Sequence, residues 1–249
     1  ELAIERKANV IIFPEFVCSQ EIQDAIQDRL KAVYKSAPQK LESLFLVIAG
    51  SGWTEDSNNV SSIFSYHGRL LGRQYKFSAF TDQKHRGCEM IEDLKDPGKE
   101  TTIVGVEGIG KILVGICRDI SERSYTRMLA RVFQPQLLLT PAWSPSVHIG
   151  FKEQFREISA ENHRTCAILC NCCEAVRSEE KWKTDVGIVV APYKKGSVIT
   201  GKERILTRKE ICRADCGNGG CLFIVNLNFQ TDAVRDAKTI YWNRFVLRH

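Results

Sequence analysis

The sequence has 249 residues, of which 43% are hydrophobic and 26% are charged, and its formal net charge is +5. This composition is typical of a globular domain, and the mild, dispersed positive charge argues against a nucleic-acid-binding surface. No apolar run reaches the roughly 18 to 20 residues that cross a bilayer, and residues 1–7 are charged and helix-like, unlike a signal peptide. The 10 cysteines are irregularly spaced and partly lie in apolar runs, which favours a reduced, cytoplasmic location.

The first half of the chain alternates between helix-like and strand-like segments. Residues 21–34 carry apolar side chains at helical spacing, among them Ile22, Ile26 and Leu30, which predicts an amphipathic helix. Short apolar runs predict strands at 9–14, 44–49, 61–66, 69–71, 101–106 and 111–116. The last four of these are expected to pair as two hairpins, because turn residues separate the members of each pair.

The second half continues this alternation. Helices are predicted at 122–133 and 150–164, and strands at 136–140, 165–171, 186–191 and 222–228. Pro141 is expected to stop the strand that precedes it. Apolar strands that alternate with helices predict an α/β fold with sheets covered by helices, and the hairpins indicate mixed sheets. Because no linker or repeat interrupts the pattern, residues 1–249 are predicted to form a single domain.

Three segments each present a reactive side chain beside apolar or aromatic residues. The apolar run at 10–13 leads to Glu15, and the run at 112–116 leads to Cys117. Between them, Lys76 lies among aromatic residues. Ligands of open α/β sheets bind at the carboxyl ends of the strands, so a carboxylate, an ammonium and a thiol are expected to meet in one pocket. Each residue alone has an ordinary explanation, as a solvated loop acid, a surface lysine or a buried thiol.

The order and flanks of these residues resemble a known family. Phe13-Pro14-Glu15, Lys76 and Gly115-Ile116-Cys117-Arg118-Asp119 are similar to the three signature segments of the nitrilase, or carbon–nitrogen hydrolase, superfamily. Later segments resemble further elements of the same family in the same order, at 137–143, 159–162, 167–171 and 187–196.

This resemblance implies a four-layer α-β-β-α sandwich and a catalytic Glu-Lys-Cys triad. Cys117 would attack an amide-type carbon, Glu15 would move the proton, and Lys76 would stabilise the developing negative charge. Arg118, through its backbone N–H, and Trp143 are the predicted oxyanion and substrate-binding residues. No metal or organic cofactor is expected. The family also implies a homodimer or larger assembly and cleavage of a small non-peptide amide in preference to a nitrile.

At two positions the resemblance does not decide which residue acts or what its side chain contacts. Many members carry a second active-site glutamate, for which Glu89 and Glu92 are the candidates here, and we favour Glu89. Arg118 stands where the family often has an aromatic residue. Its side chain would either pair with Asp119 or Glu122 or meet an acidic substrate, and we favour the ion pair.

Competing patterns are weaker. Residues 105–111 resemble a phosphate-binding loop, but Ile112 stands where Ser or Thr would reach magnesium, so a hairpin turn is the better interpretation. A zinc or redox site among the later cysteines is a weaker alternative, because Cys212 and Cys216 have a permissible ligand spacing but the sequence places no fourth ligand beside them. The cysteines concerned are Cys170, Cys172, Cys173, Cys212, Cys216 and Cys221.

The two ends of the sequence lack the start and stop signals of a complete domain. The family's opening strand is missing, so the natural polypeptide is expected to extend further at one or both ends, and a fused further domain is left open. This expectation motivates the alternative function, a nitrilase-like ligand-binding or assembly module within a multidomain protein.

Overall fold

The computed structural model of the chain describes residues 1–82, 90–95, 97–98, 100–144, 150–162, 164–172, 185–195, 198–207, 221–227 and 241–246. The helices in this part are α1 (Leu2–Glu5), α2 (Gln20–Ser36), a 3₁₀ turn (Pro38–Leu41), α3 (Arg118–Ser121), α4 (Arg123–Phe133) and α5 (Lys152–Asn162). The strands are β1 (Val10–Ile12), β2 (Leu46–Ile48), β3 (Gly52–Trp53), β4 (Asn59–Ser65), β5 (Leu70–Tyr75), β6 (Thr81–Asp82), β7 (Met90–Ile91), β8 (Ile103–Val106), β9 (Gly110–Val114), β10 (Leu137–Ala142), β11 (Cys166–Asn171), β12 (Asp185–Lys195), β13 (Val198–Thr207), β14 (Cys221–Asn226) and β15 (Tyr241–Val246).

Two mixed sheets hold most of these strands. The first has the order β1-β2-β4-β3, with β5 paired to β4, and only its β1–β2 pair is parallel. The second has the order β13-β12-β11-β10-β9-β8, with parallel pairing of β9, β10 and β11. The predicted hairpins are confirmed, because β4 pairs with β5 and β8 pairs with β9 in antiparallel register.

Neighbouring side chains of each central strand point to opposite faces of its sheet and so pack in two different layers. Leu46 and Ile48 of the first sheet pack against Ile112, Val114 and Leu139 of the second, so the sheets lie face to face. The residues between them point outward. Val47 packs under α2, whereas Leu113 and Leu138 pack under α4 and α5. The layer order is therefore helix, sheet, sheet, helix, which confirms the predicted α-β-β-α sandwich.

The predicted end of β10 at Pro141 is wrong, because the strand continues to Ala142. The carbonyl of Pro141 accepts a hydrogen bond from the Cys117 N–H at 2.9 Å. The N–H and C=O of one strand residue point to the same side of the strand. The position where Pro141 lacks an N–H therefore faces the same side as its carbonyl, toward the segment that follows the end of β9. No ladder bond is lost there, so the strand tolerates the proline.

Several strands lie beyond the predicted set, namely β3, β6, β7, β13 and β15, and β12 runs four residues past its predicted end. None of the described helices combines the length and the apolar character that crossing a bilayer requires.

Candidate active site

Glu15 lies just beyond the carboxyl end of β1, at the boundary between the two sheets. An isolated parallel bridge pairs it with Ser51, and its N–H donates to the carbonyl of Ala142 at 3.3 Å. Glycine at position 50 lets the segment before Ser51 pass close to Pro14. A Cβ at Gly50 would lie 2.3 Å from the Pro14 carbonyl oxygen, and the φ of Gly50 is +67°. The Glu15 side chain is fully buried.

Lys76 follows β5 directly and is also buried, with 1% of its surface exposed. Its backbone N–H donates to the carbonyl of Asn59 at 3.0 Å, and its carbonyl accepts from Gly98 at 3.0 Å. The bond to Asn59 extends the pairing of β4 and β5 by one residue, and the lysine side chain reaches Glu15. A lysine is rarely buried unless a charged partner accompanies it.

Cys117 lies at a sharp turn between β9 and α3. Its φ is 44° and its ψ is −108°, a backbone conformation that non-glycine residues seldom adopt. Gly115 lets the turn close, because a Cβ there would lie 2.3 Å from Cδ1 of Ile120. The turn places Cys117 before the first helical residue, Arg118, whose N–H has no partner within a helix at that position.

Lys76, Asn59, Glu15 and Glu92 form a closed ring of hydrogen bonds. The Lys76 Nζ lies 2.7 Å from Glu15 Oε1 and 2.5 Å from Glu92 Oε2. Asn59 Nδ2 donates to Glu15 Oε1 and to Glu92 Oε1, both at 2.9 Å. The ammonium and the amide therefore both bridge the two carboxylates, which fixes the orientation of all four side chains.

The backbone of Trp143, just past β10, joins the acid to the thiol. Its N–H donates to Glu15 Oε2 at 2.9 Å, and its carbonyl accepts from the Cys117 Sγ at 3.8 Å. Cys117 and Glu15 also lie close enough for each to shift the pKa of the other. Glu15 thus contacts the lysine through one oxygen and the Trp143 N–H through the other, while the carbonyl of the same Trp143 contacts the thiol.

Asp119 fastens the lysine segment to the cysteine turn. Its Oδ1 accepts from the N–H groups of Phe77 and Ser78 at 2.9 and 2.8 Å, and its Oδ2 accepts from the Ile116 N–H at 3.3 Å. Burial raises the pKa of Asp119 to about 7, against the lowering effect of these N–H donors and of Lys76. One fully buried carboxylate therefore holds the residues next to Lys76 and Cys117 in fixed register.

Burial and charge shift the pKa values of the three central groups. Burial raises the pKa of Glu15, although the Lys76 ammonium opposes it. Burial also raises the pKa of Cys117 well above its usual range, and the nearby Glu15 carboxylate adds to that effect. Burial lowers the pKa of Lys76, but Glu15, Cys117 and Glu92 outweigh it and the net shift is upward. The resting site at neutral pH thus holds a charged lysine and a neutral thiol.

The structure brings together the three residues of the predicted triad, Glu15, Lys76 and Cys117, in one buried site. Trp143 enters it through its backbone, while the Arg118 side chain points to Glu122, with 3.4 Å between Nη2 and Oε1. Glu89 lies outside the described residues, and Glu92, the less favoured candidate, is the acid that contacts Lys76.

Sequence reasoning missed the contributions of Asn59 and Asp119. Asn59 opens β4, a strand in which every residue is buried, so a polar residue there signals a partner. Asp119 stands two residues after the nucleophile candidate, but two of its partners, Phe77 and Ser78, lie on a distant segment.

A metal site is not apparent among the described residues, where no group of three or more Cys, His, Asp or Glu side chains converges. Cys173, Cys212 and Cys216, part of the zinc alternative, lie outside the described residues.

The sequence matches no protein family model and no curated protein. Solved structures share its fold. An amidase from Nesterenkonia sp. superposes with a TM-score of 0.54 at 16% identity, over 83% of this chain and 79% of that chain. Saccharomyces cerevisiae Nit3, a member of branch 10 of the nitrilase superfamily, gives 0.50 at 16% identity, over 86% and 85%. The chain has the nitrilase-superfamily fold.

The C. elegans NitFhit protein shares this nitrilase-like fold as well, with a TM-score of 0.51 at 15% identity, over 84% of this chain and 55% of that one. Other structures of the Nesterenkonia amidase show a Michael addition of acrylamide at its active site cysteine and a complex of a mutant with butyramide. At these identities the likeness establishes the fold.

Proposed function

We propose that this protein hydrolyses the carbon–nitrogen bond of small non-peptide amides through a thioester on Cys117. The observation that carries the proposal is the buried Glu15, which contacts Lys76 directly and is joined to Cys117 through the Trp143 backbone. An acid, an ammonium and a thiol gathered in one buried site of a nitrilase-like fold supply a base, a positive charge and a nucleophile. Perturbed pKa values at all three groups add support, because such shifts concentrate at functional sites.

Acylation begins with proton transfer from the Cys117 thiol to Glu15 as the sulfur attacks the amide carbon. The carbonyl oxygen becomes an oxyanion, which the Lys76 ammonium and the Arg118 backbone N–H stabilise. When this intermediate collapses, the C–N bond breaks and Glu15 returns the proton to the leaving nitrogen. The products are free ammonia or an amine and an acyl group bound to Cys117 as a thioester.

Deacylation repeats the sequence with water as the nucleophile. Glu15 takes a proton from water, and the resulting hydroxide attacks the thioester carbon. The C–S bond then breaks, the carboxylic acid leaves, and Cys117 regains its proton from Glu15. Lys76 keeps one positive charge throughout, so it serves both tetrahedral intermediates without changing its own protonation.

The raised pKa of Cys117 sets how the first step must occur. Because the resting thiol is neutral at neutral pH, nucleophilicity depends on removing its proton during the attack. Glu15 is suited to this task because its own raised pKa makes it a stronger base than an ordinary glutamate. Amides rank ahead of nitriles as substrates, and the amides bound to the structurally similar Nesterenkonia amidase are consistent with this ranking.

Intact-protein mass spectrometry tests the proposal directly. Mixing the protein with a panel of simple amides and quenching in acid should reveal an added acyl mass, and peptide mapping should place it on Cys117. The Cys117→Ala variant should show no adduct, whereas a Cys172→Ser variant, which alters a half-buried cysteine, should still form it. Reversible amide binding by the wild type with neither adduct nor product would instead favour the ligand-binding module.

Removing the base should slow turnover and change its pH profile. We expect Glu15→Gln to lower kcat by roughly 10²- to 10⁴-fold, the usual contribution of a general base. In the wild type, kcat/KM should rise with pH through the pKa of Glu15, because only the carboxylate accepts the thiol proton. Since burial raises that pKa, the acid limb should have its midpoint above the ordinary value of 4.5.

A matched control is Glu122→Gln, which alters a half-exposed acid near the cysteine turn. It should leave both kcat and the acid limb unchanged. Steady-state kinetics across the pH range would check both variants, and an unshifted acid limb at the ordinary glutamate pKa would contradict the assignment of Glu15.

A further inference from the structure

Three aromatic rings border the site beside Lys76. Phe16 and Trp53 stack with centroids 6.0 Å apart and an interplanar angle of 22°. Trp143 meets Phe16 edge-on at 6.0 Å, and the Lys76 Nζ lies 5.7 Å from the Phe16 centroid. Phe16 and Trp53 are 37% and 41% exposed, so this aromatic rim is accessible to a ligand although the groups behind it are buried.

The backbone holds the rim in place at some conformational cost. Phe16 has a φ of 61°, the left-handed region in which bulky residues are outliers. Its neighbour Glu15 is bridged to Ser51, which brings the following residues alongside Trp53. Gly52 allows the two segments to touch, because a Cβ there would lie 2.3 Å from the Cys18 carbonyl oxygen. Strain of this kind persists where the surroundings enforce it, and it concentrates at ligand sites.

The formal charges behind the rim favour a neutral ligand. Glu15 and Glu92 carry two negative charges against the single positive charge of Lys76, and all three are buried. An acidic group on the substrate would therefore meet a net negative site. The nearby Arg118 does not offset this, since its side chain pairs with Glu122.

We propose, on the basis of the amidase function argued above, that the rim of Phe16, Trp53 and Trp143 selects neutral amides whose acyl group carries an aryl ring. A flat apolar group next to the scissile carbonyl would lie on the exposed surface of Trp53 and Phe16. Aromatic side chains recognise such groups by stacking and by burial of apolar area. The amide itself would reach past the rim to Cys117.

The test compares phenylacetamide, acetamide and succinamate as substrates. In the wild type, kcat/KM should be highest for phenylacetamide and lowest for the acidic succinamate. Trp53→Ala should lower the ratio of phenylacetamide to acetamide by roughly three- to ten-fold, the size of one aromatic contact. This ratio does not depend on the fraction of folded enzyme, and Trp53→Phe, which restores a ring, should recover most of it.

A second exposed aromatic group provides the control. Tyr34 and Tyr66 meet edge-on at 5.8 Å and are 43% and 38% exposed. Tyr34 lies on α2, and Tyr66 lies just past the end of β4 that is opposite Asn59. Tyr34→Ala should leave the substrate ratio unchanged. An unchanged ratio in Trp53→Ala, with amide hydrolysis intact, would overturn the aryl selectivity and leave the proposed function standing.

Binding to the inactive Cys117→Ala variant separates the two proposals further. Calorimetric titration should detect phenylacetamide at lower concentration than acetamide, and the added Trp53→Ala change should remove that difference. If this preference appears while the wild type hydrolyses no amide, the aryl rim stands and the hydrolase proposal fails. If the two amides bind equally, the rim is not selective.

Discussion

Replacing Cys117 by alanine will abolish amide turnover while the fold persists. Loss of a catalytic nucleophile lowers kcat by roughly 10⁶-fold in a well-studied hydrolase, so residual activity should fall below detection. The fold should persist because Cys117 adds only a small, 4%-exposed side chain to a core held by both sheets. Steady-state kinetics and circular dichroism of the same preparation would measure the two effects.

The strained turn offers a sharper control for this result. Cys117→Gly removes the nucleophile as well, but glycine adopts a φ of 44° without penalty. We therefore expect the glycine variant to be as inactive as the alanine variant and more stable, by about 1 kcal/mol or more, in urea denaturation. Equal stability of the two variants would mean that the turn stores no strain, and activity in either would refute the nucleophile.

Continuous runs of apolar residues made the central strands predictable. Strands such as 44–49 and 111–116 are buried on both faces, which leaves continuous apolar runs that sequence reasoning recognises. Glu15 and Cys117 were predictable for a related reason, since each follows such a run directly. Lys76 has no apolar run before it, so its aromatic neighbours marked it only weakly and the family resemblance gave it its predicted role.

The second acid could not be chosen from sequence because nothing in the local pattern distinguishes Glu92 from Glu89. Two hydrogen bonds with Phe80 hold Glu92 in the site. The Glu92 N–H donates to the Phe80 carbonyl, and the Glu92 carboxylate accepts from the Phe80 N–H. The side chains of Asn59 and Asp119 find most of their partners 33 to 44 residues away in the sequence, and no spacing rule encodes such contacts.

The missed strand β13 has a different cause. Residues 198–207 contain Gly201, Lys202 and Glu203, which lower strand propensity and interrupt the apolar pattern. Pairing with β12 over ten registered positions outweighs that weak local preference. Tertiary pairing similarly carries β10 through Pro141, where local chemistry predicts a stop.

Lys76→Met will destabilise the protein far more than the loss of an ordinary ion pair. Lys76 is the buried cation between Glu15 and Glu92, at 2.7 and 2.5 Å, so methionine would fill the space and leave two carboxylates without a counter-charge. Breaking a buried pair in this way costs about 3–5 kcal/mol. Urea denaturation near neutral pH should show this loss, together with loss of amide turnover.

The matched control is Lys31→Met, which removes an exposed lysine 3.4 Å from Asp28. An exposed pair contributes little because water screens it, so stability should change by less than about 1 kcal/mol. If the two methionine variants were equally stable, Lys76 would not be compensating buried charge.

Lowering the pH should partly restore the stability of Lys76→Met, because the pKa of Glu15 is raised in the folded protein. Burial raises the pKa of Glu15, and Lys76 is the main group that opposes this, so removing the lysine raises that pKa further. In the folded variant, Glu15 then binds a proton at a higher pH than in the unfolded chain, where it binds one near the ordinary pKa of 4.5. Its stability should therefore increase as pH falls from neutral toward that value, and the deficit relative to wild type should narrow. A deficit that stayed constant over this window would show that lost packing, not the unpaired carboxylate, causes the destabilisation.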